Sequence, residues 1–312
     1  MRIYRDLSEV IYDENSIVTL GTFDGIHLGH RKIIDEVVKK AADLGERSFL
    51  ITFYPHPRKV ISGDNKIKLL STPSEKADML DSFGIENMLI INFTKEFSQL
   101  SPDQFVDKFI VQGIGAREVV IGYDHHFGKG RGGNINFLKT KGKQVGFDVS
   151  VIPEYKINDI DVNSSQIRRA LEEGDIKKAN GFLGRFYSFN GIVIEGDKRG
   201  RELGFPTANL NVEDDDKLLP AIGIYAVEIV VNGKKHLGLL SVGKRPTFYD
   251  QGEIVPEVYI YDFNEEIYDE KVTVNVVERI RGEEKFSSAG ELIKQMNNDR
   301  KIGLEILSKL NN

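Results

Sequence analysis

Ile17-Val18-Thr19-Leu20-Gly21-Thr22-Phe23-Asp24-Gly25-Ile26-His27-Leu28-Gly29-His30 runs from a short apolar stretch into three glycines and two imidazoles. Downstream, Ile33, Ile34, Val37, Val38 and Ala41 recur at helical spacing, and Gly45 closes the pattern. The segment therefore reads as a strand, a glycine-rich turn and a helix from about His30. A helix N-terminus offers unpaired backbone N–H groups and the positive end of the helix dipole, so the turn is suited to an anion, above all a phosphate. His27 and His30 lie three apart and face the same way on a helical turn. Imidazoles placed there can donate to phosphate oxygens and stabilise charge that builds on a transferring phosphorus. Gly29 lets a ligand approach the backbone, and Asp24 can cap the turn or orient a donor.

Reading outward, the pattern of strand followed by helix repeats. Ser48–Phe53, Met88–Asn92, Glu118–Ile121 and Gln144–Val151 read as strands. Helices are expected from Thr72-Pro73 to Phe83 and from Ser101-Pro102-Asp103 through Ile110. Alternating strands and helices imply a parallel sheet covered on both faces, with ligands at the carboxyl ends of its strands. Tyr54-Pro55-His56-Pro57 and Gly122-Tyr123-Asp124 also follow predicted strands, and should converge on the same crevice as His27 and His30. From about Phe186 the grammar changes. Ile222–Val231, Lys235–Val242, Glu257–Phe263 and Lys271–Val277 are β-rich, with turn signals such as Asn232-Gly233 between them. A helical tail follows from about Ser288 to Leu310. The expected fold is α/β plus β: a parallel-sheet, Rossmann-like domain over residues 1–184, then a small antiparallel β-barrel with a C-terminal helix over 185–312.

The length of 312 residues accommodates two such domains. The net charge of −6 is spread unevenly: residues 1–184 hold 25 basic and 26 acidic side chains, residues 185–312 hold 17 and 22. Neither part offers a broad basic face, so nucleic acid is not an expected partner. Small phosphorylated ligands need only a few local donors. The absence of cysteine excludes disulfides and thiolate metal sites and suits a reducing compartment. With no signal-like N-terminus and no run of bilayer length, a cytoplasmic protein without membrane contact is expected.

Two further stretches bear on the first site. Gly128-Lys129-Gly130-Arg131-Gly132-Gly133 matches the letters of a dinucleotide fingerprint. It does not directly follow a strand and shows no clean helix after it, so it reads better as a mobile basic flap near phosphates, or as a plain solvated loop. Asn163-Ser164-Ser165-Gln166-Ile167-Arg168 opens another helix, where Ser164 or Ser165 can cap and Arg168 can clamp a phosphate chain. His-x-x-His also occurs in zinc sites, with Asp124, His125 or His126 as a possible further ligand.

Together, Gly21–His30, Thr52-Phe53-Tyr54-Pro55-His56-Pro57, Gly122–Gly128 and Ser164-Ser165-x-Ile167-Arg168 resemble the adenylyltransferase half of bacterial bifunctional riboflavin kinase/FAD synthetase. The second half of the chain resembles the kinase half of that family in Gly200-Arg201-x-Leu203-Gly204-Phe205-Pro206-Thr207-Ala208-Asn209-Leu210. Gly243-Lys244-Arg245-Pro246-Thr247, Glu257–Phe263 and Arg281-x-Glu283-x-Lys285-Phe286 match it too. The resemblance implies two reactions: riboflavin and ATP give FMN, then FMN and ATP give FAD and pyrophosphate. In the first domain it implies that His27 and His30 act on the ATP phosphates. Gly21, Phe23, Asp24, Gly29, Ser164, Ser165 and Arg168 would bind ATP, and Phe53, Pro55, His56, Pro57 and Asp124 would bind the flavin. In the second it implies Glu257 as general base, Thr207 and Asn209 as oxygen ligands of Mg²⁺, Gly200, Arg201 and Gly204 at ATP, and Arg281 at the flavin. Asn163, where the family often has serine, Gln166, where it often has a basic residue, and the His125-His126 pair depart from the pattern. A monomer or weak homo-oligomer is expected. A nucleotidyltransferase with another acceptor, such as phosphopantetheine, would not need the Pro206–Asn209 module. A flavin carrier without turnover would not need His27, His30, Thr207, Asn209 and Glu257 together.

Overall fold

The computed structural model describes residues 1–63, 67–196, 204–244 and 254–310. Packing divides the chain into two units, Met1–Ser164 and Ser165–Asn312.

The first unit contains β1 (Arg2–Tyr4), β2 (Ser16–Leu20), α1 (Leu28–Leu44), β3 (Arg47–Tyr54), α2 (Pro57–Ser62), α3 (Pro73–Ser82) and β4 (Asn87–Asn92). Then come α4 (Pro102–Phe105), which continues as wider π-helical turns over Val106–Ile114, β5 (Ala116–Gly122), α5 (Ile135–Val145), β6 (Asp148–Ile152) and a small hairpin of β7 (Lys156–Ile157) and β8 (Ile160–Asp161). Six strands form one sheet in the order β1-β4-β3-β2-β5-β6, and every pairing is parallel. Alternate residues feed opposite faces. Val18, Phe49, Ile51 and Leu89 pack with Phe105, Phe109 and Leu138 on one side. Ile17, Leu50, Met88 and Ile90 pack with Ile34, Val37, Ala77 and Leu80 on the other. This double burial explains why these strands read as continuous apolar runs. The chain leaves β2 toward β3 and β4, then returns to the other side of β2 to form β5. The carboxyl end of β2 is thus the switch point of the sheet, the usual place for a ligand crevice.

One element differs from expectation. Gln144–Val151 is not one strand: residues up to Val145 belong to α5, and β6 begins at Asp148. The Asn134 side chain caps α5 by accepting from Phe137 N at 3.0 Å, Leu138 is fully buried, and Gly146 ends the helix at φ 92°. A helix therefore does open just after the glycine-rich loop, contrary to the sequence reading.

The second unit continues α6 (Ser164–Glu173), then has α7 (Ile176–Leu183), β9 (Tyr187–Ile194), β10 (Thr207–Val212), β11 (Gly223–Val231), β12 (Lys234–Lys244), β13 (Ile254–Ile260), β14 (Lys271–Arg281) and α8 (Ala289–Leu307). The strands close into a barrel in the order β10-β13-β12-β11-β14-β9, with every pairing antiparallel. Helix α8 packs on it through Leu307, against Leu239, Tyr261 and Val277. A Cβ at Gly303 would stand only 2.5 Å from the Tyr261 hydroxyl, so glycine sets this close approach. Helix α7 also belongs to this unit, because Asn180 Nδ2 donates to the carbonyls of Val276 and Val277. The packing boundary therefore lies ahead of the change of pattern at Gly184–Tyr187.

Candidate active sites

In the first unit, helix α1 begins two residues earlier than its apolar pattern suggests, with His27 as its N-cap. His27 Nδ1 accepts from the backbone N–H of His30 at 3.3 Å. An accepting Nδ1 leaves the proton of the neutral ring on Nε2. The two imidazoles stack, with ring centroids 3.7 Å apart and planes within 20°. Gly29 permits this arrangement, since a Cβ there would lie 3.2 Å from the His27 ring.

The turn that delivers the pair bends sharply. Phe23 and Ile26 have φ of 45° and 38°, and Gly25 has φ of 81°. Left-handed backbone at two bulky residues is costly and persists only where surroundings impose it. Here three other segments impose it. The Asp24 carboxylate accepts from the backbone N–H of Leu70 and Ser71 at 3.0 Å each, and Gly25 N donates to Ser71 Oγ at 3.0 Å. Ser164 Oγ donates to the Asp24 carbonyl at 2.9 Å. The Thr22 carbonyl accepts from Lys76 Nζ at 2.6 Å and from Thr52 Oγ1 at 3.0 Å. Desolvation pulls the Lys76 ammonium down to about 8. Asp24 is buried, and its carboxylate braces the loop. The hydroxyl of Ser164 ties the turn to the start of α6.

A cavity of about 260 Å³ lies where the carboxyl ends of β2, β5 and β6 meet. His27, Gly29, His30, Gly122, Asp124 and Ser164 line it, as the strand-end rule anticipates. So do Tyr123 and Asn163, which lie in stretches the sequence reading quoted, and Glu154, Tyr155 and Asp161, which it did not single out. Glu154, Tyr155 and Asp161 come from the segment after β6 and the β7–β8 hairpin, so the same strand-end rule could have found them. Tyr123 Oη donates to Glu154 at 2.5 Å, and Lys156 bridges Glu154 and Asp161 at 3.1 and 3.2 Å. Among the described residues no three His, Asp or Glu side chains gather into a metal-holding cluster.

Phe53, Pro55, His56 and Pro57 are not among the residues lining this cavity. Phe53 joins an aromatic cluster with Phe93 and Phe97, with centroids 5.6 and 5.9 Å away. His56 caps α2 by accepting from Arg58 N at 3.1 Å. Asp124 accordingly shares its cavity with the histidines and not with this aromatic edge. The glycine-rich loop is anchored: Phe127 and Gly133 exchange backbone hydrogen bonds, Lys129 N donates to Leu100 O at 2.8 Å, and Phe127 is buried against Phe105. His125 Nε2 is buried with no hydrogen-bond partner among the described residues, and burial pulls its imidazole down to about 4. On α6, Ser165 and Arg168 belong to the second packing unit, and Arg168 is buried.

In the barrel, β10 and β13 pair with Asn209 opposite Glu257 and Thr207 opposite Tyr259. The period of two puts Thr207, Asn209 and Glu257 on one face. Thr207 Oγ1 donates to Glu257 Oε2 at 3.1 Å. Asn209 Oδ1 is buried without a hydrogen-bond partner among the described residues. A buried, unsatisfied neutral oxygen beside a hydroxyl and a carboxylate is a donor set that suits a hard cation such as Mg²⁺. Gly204 has φ of 83°, while Gly200 and Arg201 lie outside the described residues, as do Arg245, Pro246 and Thr247. The Arg281 Nε and Nη2 fork onto the Asp299 carboxylate at 3.0 and 2.8 Å, joining β14 to α8.

Family models match both parts of the chain. The FAD synthetase family model matches residues 10–166, and the riboflavin kinase model matches residues 183–307. A bifunctional riboflavin kinase/FMN adenylyltransferase of Listeria monocytogenes is 39% identical, covering 96% of this chain and 94% of its own. The protein of the same description from Bacillus subtilis is 37% identical over 95% and 93%. A crystal structure described as a macrolide-efflux protein from Streptococcus pneumoniae is 30% identical with a TM-score of 0.88, covering 97% of this chain and 98% of that one. Among the described residues of this chain no helix is long and apolar enough to cross a membrane. The chain belongs to the bifunctional riboflavin kinase/FMN adenylyltransferase family.

Proposed function

We propose that this chain makes FMN from riboflavin and ATP in its barrel and FAD from FMN and ATP at its switch-point cavity. The observation that carries the reading is the presence, in one chain, of a stacked His27–His30 pair at a helix N-terminus and a Thr207–Asn209–Glu257 face in the barrel. Each constellation suits one of the two reactions.

In the barrel, Glu257 takes the proton of the terminal ribityl hydroxyl as its oxygen attacks the γ-phosphorus of ATP, and ADP leaves. Thr207 and Asn209 would hold Mg²⁺, which when bound neutralises charge on the ATP phosphates. At the switch point, a phosphate oxygen of FMN attacks the α-phosphorus of ATP, and pyrophosphate leaves. The Nε2–H of His27, the ring of His30 and the N-terminal N–H groups of α1 stabilise the charge on the phosphates. Asp124, Tyr123 and Glu154 shape the cavity wall, and the Phe53–Pro57 edge would receive the flavin ring. Residues 1–184 form the proposed adenylyltransferase domain and 185–312 the kinase domain. A reducing compartment, the cytoplasm, suits a chain without cysteine.

The test is a time course with purified protein, riboflavin and excess Mg-ATP, with flavins separated by chromatography. FMN rises first and FAD follows. Accumulation of FMN alone refutes the adenylyltransferase assignment.

A further inference from the structure

We propose that Lys76 is a positioning residue of the adenylyl-transfer site, setting the turn that presents His27 and His30. This rests on the function proposed above for that cavity. Lys76 lies on α3, outside every motif that marks the site, and its side chain is buried. Its ammonium donates to the Thr22 carbonyl at 2.6 Å and to Thr52 Oγ1 at 3.0 Å, and Thr52 Oγ1 donates to the same carbonyl at 3.0 Å. Two donors from α3 and β3 thus converge on one carbonyl oxygen at the end of β2.

That oxygen fixes the plane of the Thr22–Phe23 peptide. Rotating the plane would turn the carbonyl away from both donors and change φ of Phe23, which stands at 45°. The Phe23 ring lies 5.0 Å from the His30 ring, centroid to centroid, and His30 stacks on His27 at 3.7 Å. A continuous line of contact therefore runs from the ammonium through one peptide plane and one aromatic ring to the imidazole pair. Packing alone does not call for a cation here. An apolar side chain of similar length would fill the space without the cost of desolvating a charge. The ammonium does something an apolar chain cannot: it holds a carbonyl against a left-handed backbone, and it places positive charge behind an anion-binding turn.

The test uses the full chain with Lys76→Met and Lys76→Gln. Glutamine keeps a donor for Thr22 and loses the charge. We expect kcat for FAD formation from FMN to fall about 10-fold to 100-fold in Lys76→Met, the scale of a misplaced catalytic group. Lys76→Gln should recover part of this. Phosphorylation of riboflavin by the same molecules should stay within about twofold, since the barrel does not depend on the turn. If FAD formation by both variants keeps wild-type kcat and ATP KM, the proposal is overturned while the assigned activity stands. A loss in Lys76→Gln that merely follows unfolding of the first unit, read by hydrogen exchange, also overturns it. Should Lys76→Met not fold, Lys76→Gln and Thr52→Val decide: Thr52→Val removes the second donor to the same carbonyl, and unchanged kcat in both refutes the proposal. Wild-type protein that makes FMN and no FAD removes the assigned activity and the proposal with it.

Discussion

Two buried bases carry the same lesson about single residues: burial disfavours the charged form. Lys76 has its ammonium pulled from the ordinary 10.5 to about 8 by desolvation. The folded state therefore binds the proton less tightly than the unfolded chain. Between pH 8 and 10.5 the unfolded chain holds more protons, so stability rises with pH across that window. Below pH 8 the whole cost of burying the charge is present, about 3 kcal/mol at one pKa unit per 1.36 kcal/mol. Denaturant unfolding of the first unit from pH 7.5 to 10.5 should show this rise, and Lys76→Met should flatten it. The same substitution that impairs FAD formation should then leave the fold no weaker at pH 7. His125 behaves in a parallel way at lower pH. Burial holds it neutral, from an ordinary 6.5 down to about 4, with His126 and Arg131 adding repulsion. Stability should fall as pH drops from 6.5 to 4, by up to about 3 kcal/mol. His125→Phe keeps an aromatic ring against Phe127 and should abolish that acid loss in a pH series of unfolding curves.

At the scale of elements, the joint between β14 and α8 combines apolar packing with a buried ion pair. Asp299 is 2% exposed, and it accepts three bonds from two Arg281 nitrogens and one from Gln295. Removing one member of such a pair leaves the other buried and unmatched. Asp299→Ala should cost about 3–5 kcal/mol in barrel stability, measured by denaturant unfolding followed on the second unit. Arg281→Ala tests whether this arginine serves the flavin as well as the fold. Elements were legible where burial gave them a clean pattern. The strands from β2 to β5 read directly as short apolar runs buried on both faces, and helices α1 and α3 through their caps and apolar spacing. Strand β10 was read as a motif rather than as a strand, because the polar residues Thr207, Asn209 and Asn211 that alternate with Ala208, Leu210 and Val212 include the site's oxygen donors. That polarity is the site itself. Helix α5 was missed because Gly142 interrupts its pattern, and that glycine is needed where a Cβ would meet the Phe147 carbonyl at 2.3 Å. The histidine pair, the strand-end loops and the Thr207–Glu257 face were visible as motifs. Lys76 was not, since an isolated lysine in a capped helix looks like any solvated one until β2, β3 and α3 are brought together.

For the whole molecule the central claim is that one chain carries two independent chemistries, each confined to its own unit. His30 lines the cavity of the parallel-sheet unit, while Glu257 sits on the barrel face beside Thr207. Replacing either should remove one activity by about 100-fold or more, the usual weight of a general base or an electrostatic stabiliser, and leave the other within about twofold. The most direct measurement gives purified His30→Ala and Glu257→Gln proteins riboflavin in one series and FMN in another, with Mg-ATP, and resolves the flavins by chromatography. His30→Ala should convert riboflavin to FMN and stop there, while Glu257→Gln should leave riboflavin unchanged but convert FMN to FAD. Loss of both activities from either folded variant, or FAD formation from FMN by His30→Ala at the wild-type rate, would contradict the claim of two independent chemistries.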